Sequence, residues 1–220
     1  MEPFRSVTGA AAPLLLDDVN TDQIIPSAFL KDLHADLAGA FFAYMRRQPD
    51  GTRNADFVLE LPQFAAAPIL VTGTNFGCGS SREHAVWSMR AFGVRCVIGA
   101  SPAEFFYENC LKNGILPVKL EPAAMKALFE YTTQVDGREP FAVNLETCEI
   151  RGPGGFVQRF EIPAGERMAL LEGLDDISLT LKSLDAIEAW ERKMAAERPF
   201  FQAAIAGVSA PARQGAAPAP

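Results

Sequence analysis

The stretch PILVTGTNFGCGSSREHAVWSMRAFGVRCVIGA, residues 68–100, constrains the fold more than any other part of the chain. An apolar run, PILVTG, leads into a glycine-rich turn. An amphipathic segment, SREHAVWSMRAFG, then ends at Gly93, and a second apolar run, RCVIGA, follows. Short apolar runs bounded by turn residues read as buried strands, and the segment between them has the spacing of a helix. Strand, glycine turn, helix and strand in this order are the signature of a parallel unit. SPAEFFYENCLKNG extends it as a second helix, with Ser101 as N-cap, Pro102 at the first helical position, Glu104 completing a capping box and Gly114 closing the end. The strand ILPVKL and the helix PAAMKALFEYT come next. Alternating segments in FAVNLETCEIRGPGGFVQRFEI, joined by GPGG, then predict a hairpin, so the sheet is expected to be mixed.

Towards the N-terminus, PLLL reads as a strand, DDVNTDQIIP as an irregular polar turn and AFLKDLHADLAGAFFAYMRR as a helical stretch interrupted by Gly39. FVLEL reads as another strand. The last ordered elements are ISLTL and a helix through SLDAIEAWERKMA with a serine N-cap. The tail AAIAGVSAPARQGAAPAP has almost no large apolar residue and cannot offset its ordering entropy. One domain over residues 1–202 and a disordered tail over 203–220 are therefore expected.

Composition excludes several function classes. The apolar runs fall short of the roughly 18 residues a membrane helix needs, and the opening MEPFRSVTGA has no signal-peptide pattern, so a soluble cytoplasmic protein is expected. Twenty basic against 27 acidic side chains give a net charge of −7. No basic cluster is dense enough to track a phosphate backbone, and no nucleic-acid partner is expected. Cys78, Cys96, Cys110 and Cys148 lie 18, 14 and 38 positions apart, which leaves no C-x-x-C pair for zinc or an iron–sulfur cluster.

The chemistry concentrates in NFGCGSSREH. Ser80 and Glu83 have capping-box spacing, which makes Ser80 the expected N-cap and places Ser81, Arg82 and Glu83 in the first turn. Backbone N–H groups and the helix dipole there favour an anion, and Arg82 can grip a carboxylate or phosphate through two parallel hydrogen bonds. A phosphate loop would need a lysine after its last glycine, and a dinucleotide loop a third glycine; neither is present, so a carboxylate fits better. A Cys78 nucleophile would need His84, which lies about one and a half turns into the helix. G-x-S-x-G is not matched, and the chain has only two histidines, His34 and His84. Taken alone, the stretch reads equally well as a capped helix start with Arg82 in solvent, and DVNTDQIIP as an Asx-turn.

Together, NTDQIIP, NFGCGSSREHA, FYENCLKNGILPV and EGLDDISLTL, in this order, resemble the small subunits of 3-isopropylmalate dehydratase in the aconitase superfamily. The likeness runs from about residue 14 to about residue 198. It implies an α/β swivelling domain with a three-layer β/β/α fold, working with a separate large subunit that carries a [4Fe-4S] cluster, with no cofactor in this chain. It implies Ser80 as the catalytic serine, acting as an alkoxide-type base, with Ser81 and Arg82 binding a carboxylate of a small dicarboxylate substrate. Thr21 and Asp22 would line the same cleft, in a supporting role. Departures from the family pattern are Asn20 for an aspartate, Pro102 for an aromatic residue, and the segment 31–47, which lacks the look of the family's substrate-selecting loop.

The expected function is the small subunit of a hydro-lyase in leucine biosynthesis, interconverting 2- and 3-isopropylmalate. Phe41, Phe42 and Met45 would suit an isopropyl group. Two alternatives stand beside it: the same chemistry on citraconate, dimethylmaleate or homoaconitate, and a non-catalytic anion-binding or regulatory module.

Overall fold

The structure, a computed structural model, describes residues 1–31 and 35–198; His34 and the alanine- and proline-rich tail lie outside the described residues. The chain divides into two compact units, the first Met1–Asp175 and the second beginning at Asp176.

In the first unit, β1 (Ser6–Gly9) and β2 (Ala11–Leu14) precede three short helices, α1 (Thr21–Ile24), α2 (Leu37–Ala40) and α3 (Ala43–Arg46). A repeating pattern follows: β3 (Ile69–Thr72), α4 (Glu83–Phe92), β4 (Cys96–Gly99), α5 (Glu104–Lys112), β5 (Leu116–Lys119) and α6 (Pro122–Val135). The unit ends with β6 (Phe141–Asn144), β7 (Glu149–Arg151), β8 (Val157–Arg159) and α7 (Ala164–Glu172). The second unit contributes α8 (Asp176–Leu181) and α9 (Leu184–Glu197). Ser183 takes the N-cap position of α9, but its side chain makes no capping bond.

Parallel and antiparallel pairing are both present, divided between two sheets. β2, β3, β4 and β5 pair in that order, all parallel, while β1, β6, β7 and β8 form an antiparallel sheet. β3 and β4 are buried at every position, as a parallel sheet covered on both faces requires. Alternation then sorts the side chains. Ala12, Leu14, Leu70 and Val97 meet Ala85, Val86 and Met89 of α4 and Phe106 and Cys110 of α5. Ala11, Ile69, Val71, Ile98 and Val118 point the other way and pack with Phe141, Val143 and Ile150 of the antiparallel sheet. The result is the expected layering of sheet, sheet and helices.

Several local expectations are overturned. The long helix read over residues 28–47 is broken into a 3-10 turn (Ser27–Leu30), α2 and α3. The cause is burial: Phe41 and Phe42 are both 0% exposed, and consecutive helical residues point about 100° apart. Phe42 takes a left-handed φ of 50° and donates its N–H to the Ile24 carbonyl at 2.8 Å. FVLEL forms a 3-10 turn, Val58–Glu60, in place of a strand. Its buried Glu60 carboxylate accepts from Arg46 and Arg53, both at 2.5 Å. β2 starts two residues before PLLL and leaves Leu15 and Leu16 exposed. Ser101 does not cap α5, which starts at Glu104; its hydroxyl and carbonyl oxygens accept from the Asn75 N–H.

Gly77 shows why the turn after β3 needs glycine. Its φ is +80°, and a Cβ there would come within 2.2 Å of Phe106 Cγ, at the base of the buried ring. Gly77→Ala is expected to destabilise the chain by more than about 1 kcal/mol, read as a lowered melting temperature, because both the backbone and the buried ring resist the methyl group.

Candidate active site

The candidate residues lie on two loops that leave the C-terminal ends of adjacent parallel strands, where ligand crevices of open α/β sheets form. In β2 and β3, Ala11 stands opposite Ile69 and Leu14 opposite Thr72, a constant offset of 58 positions. The loops keep nearly this register beyond the strands. Asp17 Oδ1 accepts from the Thr74 N–H at 2.6 Å and its hydroxyl at 2.8 Å. Asp18 Oδ1 accepts from Asn75 Nδ2 at 2.8 Å. Asn20 bridges to Cys78, the Thr21 N–H donates to the Cys78 carbonyl at 2.9 Å, and the Thr21 hydroxyl donates to the Ser80 carbonyl at 3.0 Å. Asp22 closes the series in an ion pair with Arg82. The two motifs, nearly 60 residues apart in sequence, thus meet rung by rung.

The first loop is shaped by a capping box at Asn20 in place of the expected Asx-turn, although N-x-x-Q before an apolar pair is the spacing of such a box. Its side chain accepts from the Gln23 N–H at 2.9 Å, and the Gln23 side chain accepts from the Asn20 N–H at 2.8 Å. Aspartate at position 20 could accept at this cap as well, so asparagine keeps the turn while omitting a charge.

The capping box expected at Ser80 and Glu83 does not form. α4 starts at Glu83, with Arg82 as an extended N-cap (φ −82°, ψ 109°) that makes no side-chain cap. Left-handed turns at Gly77 and Gly79 and the bonds to the first loop keep the chain out of helix until that point. Glu83 instead accepts from Asn113 Nδ2 at 2.8 Å. Ser80 and Ser81 are exposed, and among the described residues neither hydroxyl has a partner.

Arg82 spends Nη1 on Asp22, and its side chain is 26% exposed. The rest of its guanidinium edge has no hydrogen-bond partner among the described residues, and Asp22 holds the group in orientation. Thr21, by contrast, is 2% exposed with its hydroxyl engaged, so it supports the serine loop from beneath. The Cys78 thiol donates to the Asp18 carbonyl at 3.4 Å, the contact of a packing residue. The His84 ring packs against Trp87, 4.5 Å between centroids, and makes no hydrogen bond to Cys78 or Ser80. Phe41 and Phe42 are sealed in the core and cannot offer a substrate pocket, which corrects that expectation; Met45 packs against the same core.

Sequence reasoning missed Asp17, Asp18, Thr74 and Asn75 as partners. Their signal is the shared spacing of the two loops, which carries meaning only once β2 and β3 are known to be adjacent and in register. Among the described residues, no group of three or more His, Cys, Asp or Glu side chains could hold a metal ion. Cys96 and Cys110 are buried, and burial pushes both thiols well above their ordinary range.

Comparison with known proteins places these features in context. Residues 1–123 match the model of the aconitase C-terminal domain, and residues 176–203 match that of the C-terminal domain of the 3-isopropylmalate dehydratase small subunit. The chain is 46% identical over 201 residues to the 3-isopropylmalate dehydratase small subunit of Mesorhizobium japonicum, covering 91% of this chain and 100% of that one. It is 47% identical, with the same coverage, to the small subunit of Sinorhizobium fredii. Among solved structures, 3-isopropylmalate dehydratase (LeuD) of Methanocaldococcus jannaschii matches with a TM-score of 0.58 and 26% identity, covering 84% of this chain and 99% of that one.

Proposed function

Because the chain belongs to the family of 3-isopropylmalate dehydratase small subunits, we propose that it forms half of an active site that isomerises 2- and 3-isopropylmalate by dehydration and rehydration. It is a hydro-lyase subunit of leucine biosynthesis and acts with a large subunit. The observation that carries the reading is the pairing of Arg82, with a guanidinium edge to spare, and two unengaged serine hydroxyls on one loop.

A proton beside a carboxylate is removed more readily when that carboxylate's charge is met by fixed positive groups. Arg82 and Ser81 supply that grip. Deprotonated Ser80 Oγ takes the C–H proton, the C–H electron pair becomes the C=C bond, and the hydroxyl on the neighbouring carbon leaves as water with a proton supplied from the large-subunit side. Rehydration reverses these steps, water adding its OH to one carbon of the unsaturated intermediate while Ser80 returns its proton to the other. A serine hydroxyl is protonated at neutral pH, so this role needs positive charge close by. Arg82, two residues on, is the cation that this loop offers. Asp22 holds the guanidinium through its ion pair, and the Thr21 hydroxyl fixes the Ser80 carbonyl. The residues described in this chain do not fit an iron–sulfur cluster, so the [4Fe-4S] centre is assigned to the large subunit. A cytoplasmic location accompanies the same reading.

The test is to assemble the chain with its cluster-bearing large subunit and assay a panel of diacids. Turnover of both isopropylmalates is the expected result. Citraconate hydration without isopropylmalate turnover would move the chain to another hydratase, and failure to recruit any large subunit would favour a non-catalytic module. In the active assembly, Arg82→Lys is expected to raise KM roughly tenfold with a smaller change in kcat, because one charge-assisted bond of a two-pronged grip is lost.

A further inference from the structure

We infer that Asp17 and Asp18 are positioning residues for this reaction, holding in place the loop that carries Ser80 and Arg82; the inference rests on the reaction proposed above. The loop leaves β3 at Thr72, and its active residues begin eight positions later, too far for the sheet alone to aim them. The aspartates fasten its first residues. Asp17 accepts both the backbone N–H and the hydroxyl of Thr74. Asp18 accepts from the Asn75 side chain, and its own N–H donates to the Thr74 carbonyl at 2.9 Å. From the other side, the Asn75 N–H donates to the Ser101 carbonyl at 2.9 Å and the Ala103 N–H to the Phe76 carbonyl at 2.9 Å. Three loops from the ends of β2, β3 and β4 are thereby stitched together.

Asp18 and Asn75, the pair at the centre of the clasp, both have a φ of 53°, a left-handed geometry that aspartate and asparagine tolerate better than other side chains and that here faces the two loops towards each other. The two bonds from Thr74, backbone first, also hold the Asp17 carboxyl below its ordinary range. Asp17, Asp18, Thr74 and Asn75 are nevertheless all exposed, so water competes for the same groups and the clasp adds little to global stability. Its effect falls on where the loop points.

Asp17→Ala removes both Thr74 bonds, whereas Asp17→Asn keeps an Oδ1 that can accept them. In the full chain assembled with its large subunit, Asp17→Ala is expected to lower kcat by about 100-fold, the scale of a 1 Å misplacement of a reacting group. Asp17→Asn should restore most of that loss, and both variants should assemble and melt like wild type. In the chain alone, hydrogen exchange at the amides of residues 74–82 should quicken in Asp17→Ala and not in Asp17→Asn. Wild-type kinetics with unaltered exchange in Asp17→Ala would overturn the inference, as would a kcat loss matched by early melting or failed assembly. A wild-type assembly that leaves isopropylmalate untouched would defeat the proposed reaction instead, and exchange alone would then decide the clasp.

Discussion

In the assembled enzyme, Ser80→Ala is expected to lower kcat by roughly 10²- to 10⁴-fold, the usual worth of a positioned proton-transfer group, while melting temperature and subunit assembly stay at wild-type values. The separation of the two effects follows from the contacts. The Ser80 hydroxyl is exposed and has no partner among the described residues, so deleting it leaves no buried group unsatisfied. What Ser80 contributes to the fold is its carbonyl, which accepts from the Thr21 hydroxyl, and alanine retains that. Substitutions away from buried networks usually change stability by less than about 0.5 kcal/mol. Steady-state kinetics beside a thermal melt would decide the matter. Near-normal kcat would remove Ser80 from the chemistry, and a loss of kcat that tracks a falling melting temperature would make its role structural.

The second large effect concerns stability and lies at Arg46. Its guanidinium donates to Glu60 at 2.5 Å and to the Ala38 and Phe41 carbonyls at 3.1 and 3.2 Å, and it sits 4.8 Å from the centre of the Phe92 ring. The Glu60 side chain is only 4% exposed and the Arg46 side chain 19%. Arg46→Ala is expected to cost about 3 kcal/mol, since the buried Glu60 Oε1 and two carbonyls lose their donor at once while Arg53 holds only Oε2. Arg53 also donates to Glu60, but its side chain is 68% exposed, and Arg53→Ala should cost less than about 1 kcal/mol. Denaturant unfolding of the two variants separates these values. Equal losses would show that burial does not govern the network.

Glu60 also gives this region a pH dependence. Burial raises its carboxyl pKa, but bonds from Arg53 and Arg46 and their charges outweigh that, so the folded value lies below the ordinary glutamate range. A depressed folded pKa contributes stability that is complete above the unfolded value, about 4.3, and fades as the pH falls through the folded one. In Arg46→Ala this acid-side loss should shrink, because the carboxylate is then less strongly favoured over its protonated form.

Much of the architecture was legible in the chain because it rests on local chemistry. The parallel unit around 68–100, the end of α4 at Gly93 and the hairpin at GPGG depend on apolar spacing and on residues that tolerate left-handed backbone, and the structure follows each of them. The elements that resisted reading depend on partners far away in sequence. FVLEL has the composition of a strand but finds two arginines and no ladder. The segment 36–46 has helical composition but must bury Phe41 and Phe42 together.

The same division runs through the site. The residue types in NFGCGSSREH and NTDQIIP, an arginine and two serines after glycines and an aspartate after a threonine, were visible in the sequence and were enough to suggest carboxylate chemistry. Capping-box spacing pointed to Ser80 as the start of a helix, because spacing reports what neighbouring residues could do for one another. Tertiary structure decided otherwise: β2 and β3 lie side by side with an offset of 58, their loops bond across the gap, and those bonds hold Ser80 and Ser81 outside α4 with their hydroxyls unspent. The sequence alone determined which groups are present. Their convergence depends on a strand register between segments nearly 60 residues apart, which burial on both faces of the sheet sets and local pattern cannot express.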